Sequence, residues 1–358
     1  MANRLSRKGH EVVMTSLGKP SHSWFQLDAG IKFIYPESDR AFTLPRRSQH
    51  PLTHTIDWIL ANTGLNYVVG RLIMRRMIFS RLELLSSAMP NDVDVNVATH
   101  CFTAFAVAKS TCGKLFYYVQ HYEPLFFQWN PYLAKLAEST YSLPLTMITV
   151  SSWIRELLKN KYSRDSQLCL NGVDRQVFYP RETSHQNHTF RIMCLGRNTK
   201  WKGMDDLTQA LNLSYEEYPM FELTVVSQDP ISIKNANFPY KIIPADTDAE
   251  LAAEYSKSDI FVNPSWYEGF SLPTLEAMSC GIPVVTTSLG PEDYAIDGNN
   301  ALIVPPRKPE MMASAILRLM KDEVLRRKVS ENAVATAAML TWDRSADEIE
   351  RIFSSYMR

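Results

Sequence analysis

No stretch of about 18 consecutive apolar residues occurs in this 358-residue chain, so no transmembrane helix is expected. Residues Met1 to His10 lack the apolar core of a secretory signal. There is no excess of charge either. Thirty-eight basic residues meet 38 acidic ones without a Lys/Arg block, which argues against a nucleic-acid partner. Cysteine is scarce, odd in number and scattered. Cys101, Cys112, Cys169, Cys194 and Cys280 form no CxxC and no Cys/His cluster, so neither a disulfide framework nor a metal site is indicated, and a reducing cytoplasm fits best. Repeats and low-complexity tracts are absent. So is any G-x-G-x-x-G, which disfavours a nicotinamide-dependent oxidoreductase.

What is present is a globular composition, 45% hydrophobic and 21% charged, on a chain long enough for two cores. The first residues read as the end of a helix closed by Gly9, followed by the β-prone run Glu11–Thr15. Strand patterns follow at 92–98, 114–119 and 145–150, the last leading through Ser151 and Ser152 into a helix over 153–160. A turn-rich bridge spans 171–181, and a polar, loop-like stretch spans 182–189. A second series of strands is predicted at 190–195, 222–227, 240–243, 259–263, 283–286 and 301–304. Helices lie between them, then over 311–320, 323–339 and 343–356. Apolar strands alternating with helices predict parallel sheets covered on both faces, hence an α/β protein of two doubly wound, Rossmann-like domains joined near 171–181. Ligands of such folds sit beyond the carboxyl ends of the strands, here in the cleft between the domains.

Two segments carry chemistry. Between Trp266 and Val285 stand Glu268, in a loop after a strand, and Glu276, eight positions on, inside a short helix. Ser271 is placed to cap that helix, Pro273 falls in its first turn and Gly281 ends it. Its N-terminus is a ready anion site, and the carboxylates suit sugar or ribose hydroxyls. Alone, the pair would read as two solvated surface glutamates. The second segment, Leu195 to Gly203, puts Arg197 and Lys202 on one strand-to-helix connection, where two cations can neutralise a diphosphate; Lys200 is a further candidate.

The first segment resembles the E-x7-E motif of GT4-type retaining glycosyltransferases, in spacing and in its Gly-Phe, Leu-Glu-Ala-Met and Cys-Gly-Ile-Pro-Val-Val surroundings. The resemblance implies a GT-B fold and a nucleotide-diphosphate-sugar donor. It implies Glu268 on the donor sugar, Glu276 on the ribose, and Gly269, Phe270, Ser271 and Leu272 around the phosphates. That family often carries Gly at the position of Ser271. Arg197 and Lys202 match its phosphate-binding G-R-x(n)-K-G element, and His121, after the 114–119 strand, matches a histidine near the donor sugar. His100, after the 92–98 strand, is a further cleft candidate. Asn171-Gly-Val-Asp174 with Phe178 looks like the family's interdomain turn, and Ser288–Tyr294 like the loop after its E-x7-E helix. The V-Q-x-x-E-P context around His121 resembles rhamnosyltransferase-like members that build cell-surface polysaccharide.

The implied function is sugar transfer with retention, without metal or other cofactor, to a carbohydrate or lipid-linked glycan acceptor. The domains implied are 1–174 on the acceptor side, 175–341 on the donor side, and a C-terminal helix over 342–358 packing back on the first. Arg71, Arg75, Arg76 and Arg81 in the segment 67–85 leave a peripheral membrane contact open, at the inner face of the plasma membrane. A packed helix with snorkelling arginines is the simpler reading. The family pattern begins with a strand and a glycine-rich loop ahead of the helix in which this sequence starts. A misassigned start or a truncated chain is therefore expected, with a catalytically inactive GT-B-like binding protein as one alternative. Another GT-B enzyme, such as a nucleotide-sugar epimerase or a phosphorylase, is the other.

Overall fold

The computed structural model describes residues 1–17, 27–36, 65–181 and 189–357. Most of the polar stretch 182–189, and the side chain of Arg71, lie outside the described residues. The N-terminal half holds strands β1 (Val13–Thr15), β2 (Lys32–Ile34), β3 (Val95–Ala98), β4 (Lys114–Val119), β5 (Thr146–Thr149) and β6 (Ser166–Leu168). Its helices are α1 (Ala2–Arg7), α2 (Leu65–Ala88), α3 (Cys101–Val107), α4 (Pro131–Ser139) and α5 (Ser152–Tyr162). The C-terminal half holds strands β7 (Phe190–Leu195), β8 (Phe221–Val226), β9 (Tyr240–Ile243), β10 (Ile260–Asn263), β11 (Val284–Thr287) and β12 (Leu302–Val304). With them come helices α6 (Met204–Glu217), α7 (Asp248–Ser256), α8 (Leu272–Ser279), α9 (Pro309–Lys321), α10 (Glu323–Ala338) and α11 (Trp342–Met357).

Among the described residues every strand pairing is parallel. The order β3-β4-β5-β6 forms one sheet, and β1-β2 form a separate pair. The larger sheet runs β12-β11-β10-β7-β8-β9. Strands such as Phe221–Val226 and Val284–Thr287 are buried almost throughout, as expected where helices cover both faces. The order of the larger sheet reverses between β7 and β10, and that switch point opens a crevice beyond their carboxyl ends.

One apolar core fills the larger sheet around Ile192, Leu223 and Val285. A second runs without a break from Phe116 and Ile148 in the N-terminal sheet to Phe261 and Leu275 in the other half. The chain crosses between the halves twice at one place. Val173 bridges Thr341, and at Gly172 any Cβ would overlap the backbone of Thr341. The segment 171–174 therefore does structural work: Asn171 Oδ1 accepts from the Tyr118 hydroxyl at 2.8 Å, and Asp174 pairs with Arg4 at 3.2 Å. Helix α11 returns to the N-terminal sheet, with Phe353 and Tyr356 against Phe116.

Two caps differ from expectation. Ser271 stands at the N-cap of α8, but its side chain makes no capping bond, because its backbone is left-handed at φ 62°. An L-residue meets its own carbonyl there, which explains why glycine suits the position. Ser151 stands at the N-cap of α5, yet its buried hydroxyl has no partner among the described residues. Carboxylates from the other half do that work.

Candidate functional site

The loop after β7 and the loop after β10 meet at the switch point. Gly203, at φ 68°, lies so close to the Pro264 carbonyl that a side chain would overlap it. Trp266 N–H donates to the Trp201 carbonyl at 2.7 Å and stitches the loops together. Lys202 Nζ is thereby held 2.6 Å from Glu268 Oε1, with the carboxylate 13% exposed. A charge pair this close and this poorly solvated interacts more strongly than a surface pair. Glu268 is also fixed from behind. Its N–H donates to the Leu289 carbonyl at 3.1 Å, and Gly290, at φ 121°, packs so tightly that a Cβ would lie 2.6 Å from Glu268 Cβ.

Beyond Glu268 the chain turns through Ser271 into α8, whose N-terminus points its amides at the crevice end of β10. The Ser271 hydroxyl accepts from Asn263 at 2.8 Å and donates to Thr274 at 2.8 Å. Phe270 is buried against Tyr294, so only its backbone is available to a ligand. Leu272 remains half-buried. One turn into the helix stands Glu276, which accepts from the Tyr255 hydroxyl at 3.3 Å. The protein crowded around it, and then Asp248, push its carboxyl up to about 8.

Of the predicted cations, Lys202 reaches the centre and Arg197 does not. Arg197 is exposed and lies 3.7 Å from Asp229, beyond β8. The Lys200 ammonium lies over the Trp266 ring at 5.9 Å. Gly269 belongs to the interface between the halves: a Cβ there would overlap the Gln120 carbonyl, and its own carbonyl accepts from the Trp153 indole N–H at 3.3 Å.

The N-terminal half contributes His121, at the carboxyl end of β4. Its ring lies 5.7 Å from Tyr267, 4.5 Å from Phe126 and 6.3 Å from Trp153. Burial lowers it to about 4 despite the attraction of Glu268, so the imidazole is neutral at pH 7. Its Nδ1 is buried and has no hydrogen-bond partner among the described residues. Trp201 stacks between Phe126 and Tyr267, at 5.9 and 6.0 Å, and Gln128 donates to the Tyr267 hydroxyl at 3.0 Å. Three of these contacts, His121–Tyr267, Phe126–Trp201 and Gln128–Tyr267, join the two halves and were not legible in the sequence, because each needs a partner from the other half.

His100 has a local role. It caps α3, with Nδ1 accepting from Phe102 N–H at 3.2 Å. His100, Cys101 and Glu123 do place ligand atoms within 4.8 Å of one another, a grouping the sequence reading did not find. His100 Nδ1 is engaged in the cap, and one oxygen of the Glu123 carboxylate, Oε2, accepts from the Tyr117 hydroxyl. The capping tautomer leaves the proton on Nε2, so the imidazole presents no free lone pair to a cation.

The family model described as "Glycosyl transferases group 1" matches residues 189–322. The D-inositol 3-phosphate glycosyltransferase of Corynebacterium aurimucosum is 29% identical over 209 residues, covering 54% of this chain and 50% of that protein. The O-antigen chain mannosyltransferase B of Escherichia coli is 38% identical over 96 residues, 27% of this chain and 25% of that protein. The chain thus spans about half the length, or less, of these curated relatives. Among solved structures, sucrose-phosphate synthase from Thermosynechococcus elongatus superposes with a TM-score of 0.76 at 17% identity, over 99% of this chain and 91% of that one. Anabaena HepE, solved in complex with UDP-glucose, gives 0.63 at 18% identity, over 78% and 82%. The fold of the chain is GT-B.

Proposed function

We propose that the chain, whose residues 189–322 match the group 1 glycosyl transferase model and whose fold is GT-B, moves a sugar from a nucleotide-diphosphate sugar to an acceptor hydroxyl, with retention of configuration. One observation carries the reading. The Lys202–Glu268 pair, the N-terminus of α8 and Glu276 converge at the switch point of the C-terminal sheet, and His121 of the other half lies within the field of both charges.

In this reading Glu276 accepts from ribose hydroxyls, and Glu268 from a hydroxyl of the donor sugar. The α8 amides contact the diphosphate through the backbone of Ser271 and Leu272. Lys202 turns from Glu268 toward the phosphates when donor binds, and Arg197 swings from Asp229 to join it. The bond from the anomeric carbon to the diphosphate oxygen breaks, the acceptor oxygen bonds to that carbon on the same face, and its proton passes to the departing phosphate. The developing negative charge is met by the two recruited cations and by the fixed amides of α8, so in this reading the reaction needs no metal. Neutral His121 positions the sugar.

The acceptor side is the N-terminal half, and the acceptor is a carbohydrate or a lipid-linked glycan of a cell-surface polymer. Similarity to an O-antigen mannosyltransferase supports that class. Among the described residues no helix is long and apolar enough to cross a membrane. We place the reaction in the cytoplasm, where the five free cysteines fit, and at the inner membrane face where the acceptor is lipid-linked.

The test is a thermal-shift screen of UDP-, GDP-, dTDP- and ADP-sugars, with Glu276→Ala as control. A donor at about 100 times its dissociation constant adds roughly 2.7 kcal/mol, a readable rise in midpoint. One base raising the midpoint in the wild type alone, followed by transfer to a glycan, supports the reading. No shift with any donor overturns it.

A further inference from the structure

Helix α5 begins at the carboxyl end of β5 and faces the other half of the molecule. Its first amides are capped from a distance of about 140 residues. Asp293 Oδ2 accepts from Ser152 N–H at 2.8 Å, and Asp293 Oδ1 from the Ser152 hydroxyl at 2.5 Å. Glu292 Oε1 accepts from Trp153 N–H at 3.2 Å. Two carboxylates thus occupy the positive end of an eleven-residue helix, where anions are favoured. The helix does not cap itself: the hydroxyl of Ser151, at the N-cap position, has no partner among the described residues.

The same loop also reaches the chemistry. The second oxygen of Glu292, Oε2, accepts from Gly290 N–H at 2.7 Å. Gly290 and the Leu289 carbonyl are the groups that back Glu268. A single carboxylate therefore ties the loop behind Glu268 to the first turn of a helix in the other half. Trp153, the residue it grips there, sends its indole N–H to the Gly269 carbonyl, beside Glu268.

We propose that Glu292 and Asp293 are positioning residues, which clasp the N-terminal half onto the C-terminal half through α5 and seat Glu268 when the halves are closed. Neither carboxylate touches the reacting atoms. Their effect runs through Gly290 and Leu289 on one side and through Ser152 and Trp153 on the other. The catalytic consequence rests on the transferase reading; the clasp itself does not.

The experiment uses the full chain and four variants: Glu292→Ala with Asp293→Ala as a double, each alanine alone, and the conservative pair Glu292→Gln with Asp293→Asn. Amide exchange and solution scattering are measured without ligand. In the double alanine variant the amides of Ser152 and Trp153 are expected to exchange about tenfold faster or more, and the radius of gyration to rise. The conservative pair restores most of both, because an amide oxygen still accepts from a backbone N–H. Unchanged exchange and scattering in the double alanine variant overturn the clasp. Turnover is then measured with the donor found by the screen. A positioning role lowers kcat about ten- to a hundredfold, shifts donor KM little, and leaves the Glu276-dependent thermal shift intact, which also shows that the donor half is folded. Unchanged kcat in an opened variant overturns the positioning role. If the wild type transfers no sugar, the transferase reading fails, while exchange and scattering still decide the clasp.

Discussion

Gly203 and Trp266 draw two distant loops together and so set Lys202 Nζ 2.6 Å from Glu268 Oε1. In the proposed reaction, Lys202→Met removes a cation that would neutralise the departing diphosphate. Turnover is expected to fall about a hundred- to a thousandfold, checked by single-turnover transfer rates at saturating donor. Glu276 gives a prediction of opposite sign for stability. Its folded carboxyl holds a proton up to about 8, against an ordinary glutamate value of 4.5. As pH rises from about 4.5 to 8 the unfolded chain releases that proton and the folded one retains it, so stability falls across that window. Glu276→Gln removes the penalty. The ligand-free variant is expected to melt several degrees above wild type at pH 8, with the gap closing toward pH 4.5, while losing nucleotide-induced stabilisation. Equal melting curves at both pH values would contradict the burial argument. Arg197 marks the limit at this scale: the motif fixes its place in the chain, but the conformation of its side chain depends on Asp229 and on what occupies the crevice.

Helices and strands were legible wherever pattern decides them. The strands Lys114–Val119, Phe190–Leu195 and Tyr240–Ile243 fall where the sequence placed them, since runs of apolar and aromatic residues bounded by turns have few alternatives. Strand Ser166–Leu168 was missed, because three half-buried residues at a sheet edge carry no pattern. The caps misled for a related reason. Serine before a helix signals a side-chain cap, but the backbone of Ser271 is left-handed, and Ser151 leaves α5 to Glu292 and Asp293. The strain at Ser271 is measurable. The left-handed backbone costs a serine about 1–2 kcal/mol. Its hydroxyl, bonded to Asn263 and Thr274, returns about 0.5–1.5 kcal/mol per bond. Ser271→Ala retains the strain and loses the bonds, so chemical denaturation should show it less stable by about 1–2 kcal/mol. Ser271→Gly loses the bonds but sheds the strain, and should lie above the alanine variant. An alanine variant as stable as the glycine one would show that the left-handed turn costs the protein nothing.

At the scale of the whole molecule, alternating strands and helices were enough to read two doubly wound layers, and the E-x7-E block was enough to read the GT-B fold. The fit of one half against the other was not legible. It rests on contacts between residues more than a hundred positions apart, each of ordinary type: a glycine against a carbonyl, a tryptophan N–H to a carbonyl, a glutamine to a tyrosine. Gly269 is the sharpest case. Its backbone lies outside the left-handed region, so alanine is conformationally allowed within its own loop. What alanine cannot do is coexist with the Gln120 carbonyl, which its Cβ would overlap. Gly269→Ala must therefore open the interface and leave the donor half folded. Stabilisation by the donor nucleotide should persist, because Glu276 and α8 belong to that half alone. Transfer should fall by about a hundredfold, since His121 and Glu268 are no longer held at the closed separation. Scattering should show a larger radius of gyration than in the wild type. Wild-type turnover with unchanged scattering would mean that closure as seen here is not the arrangement in which the chemistry occurs.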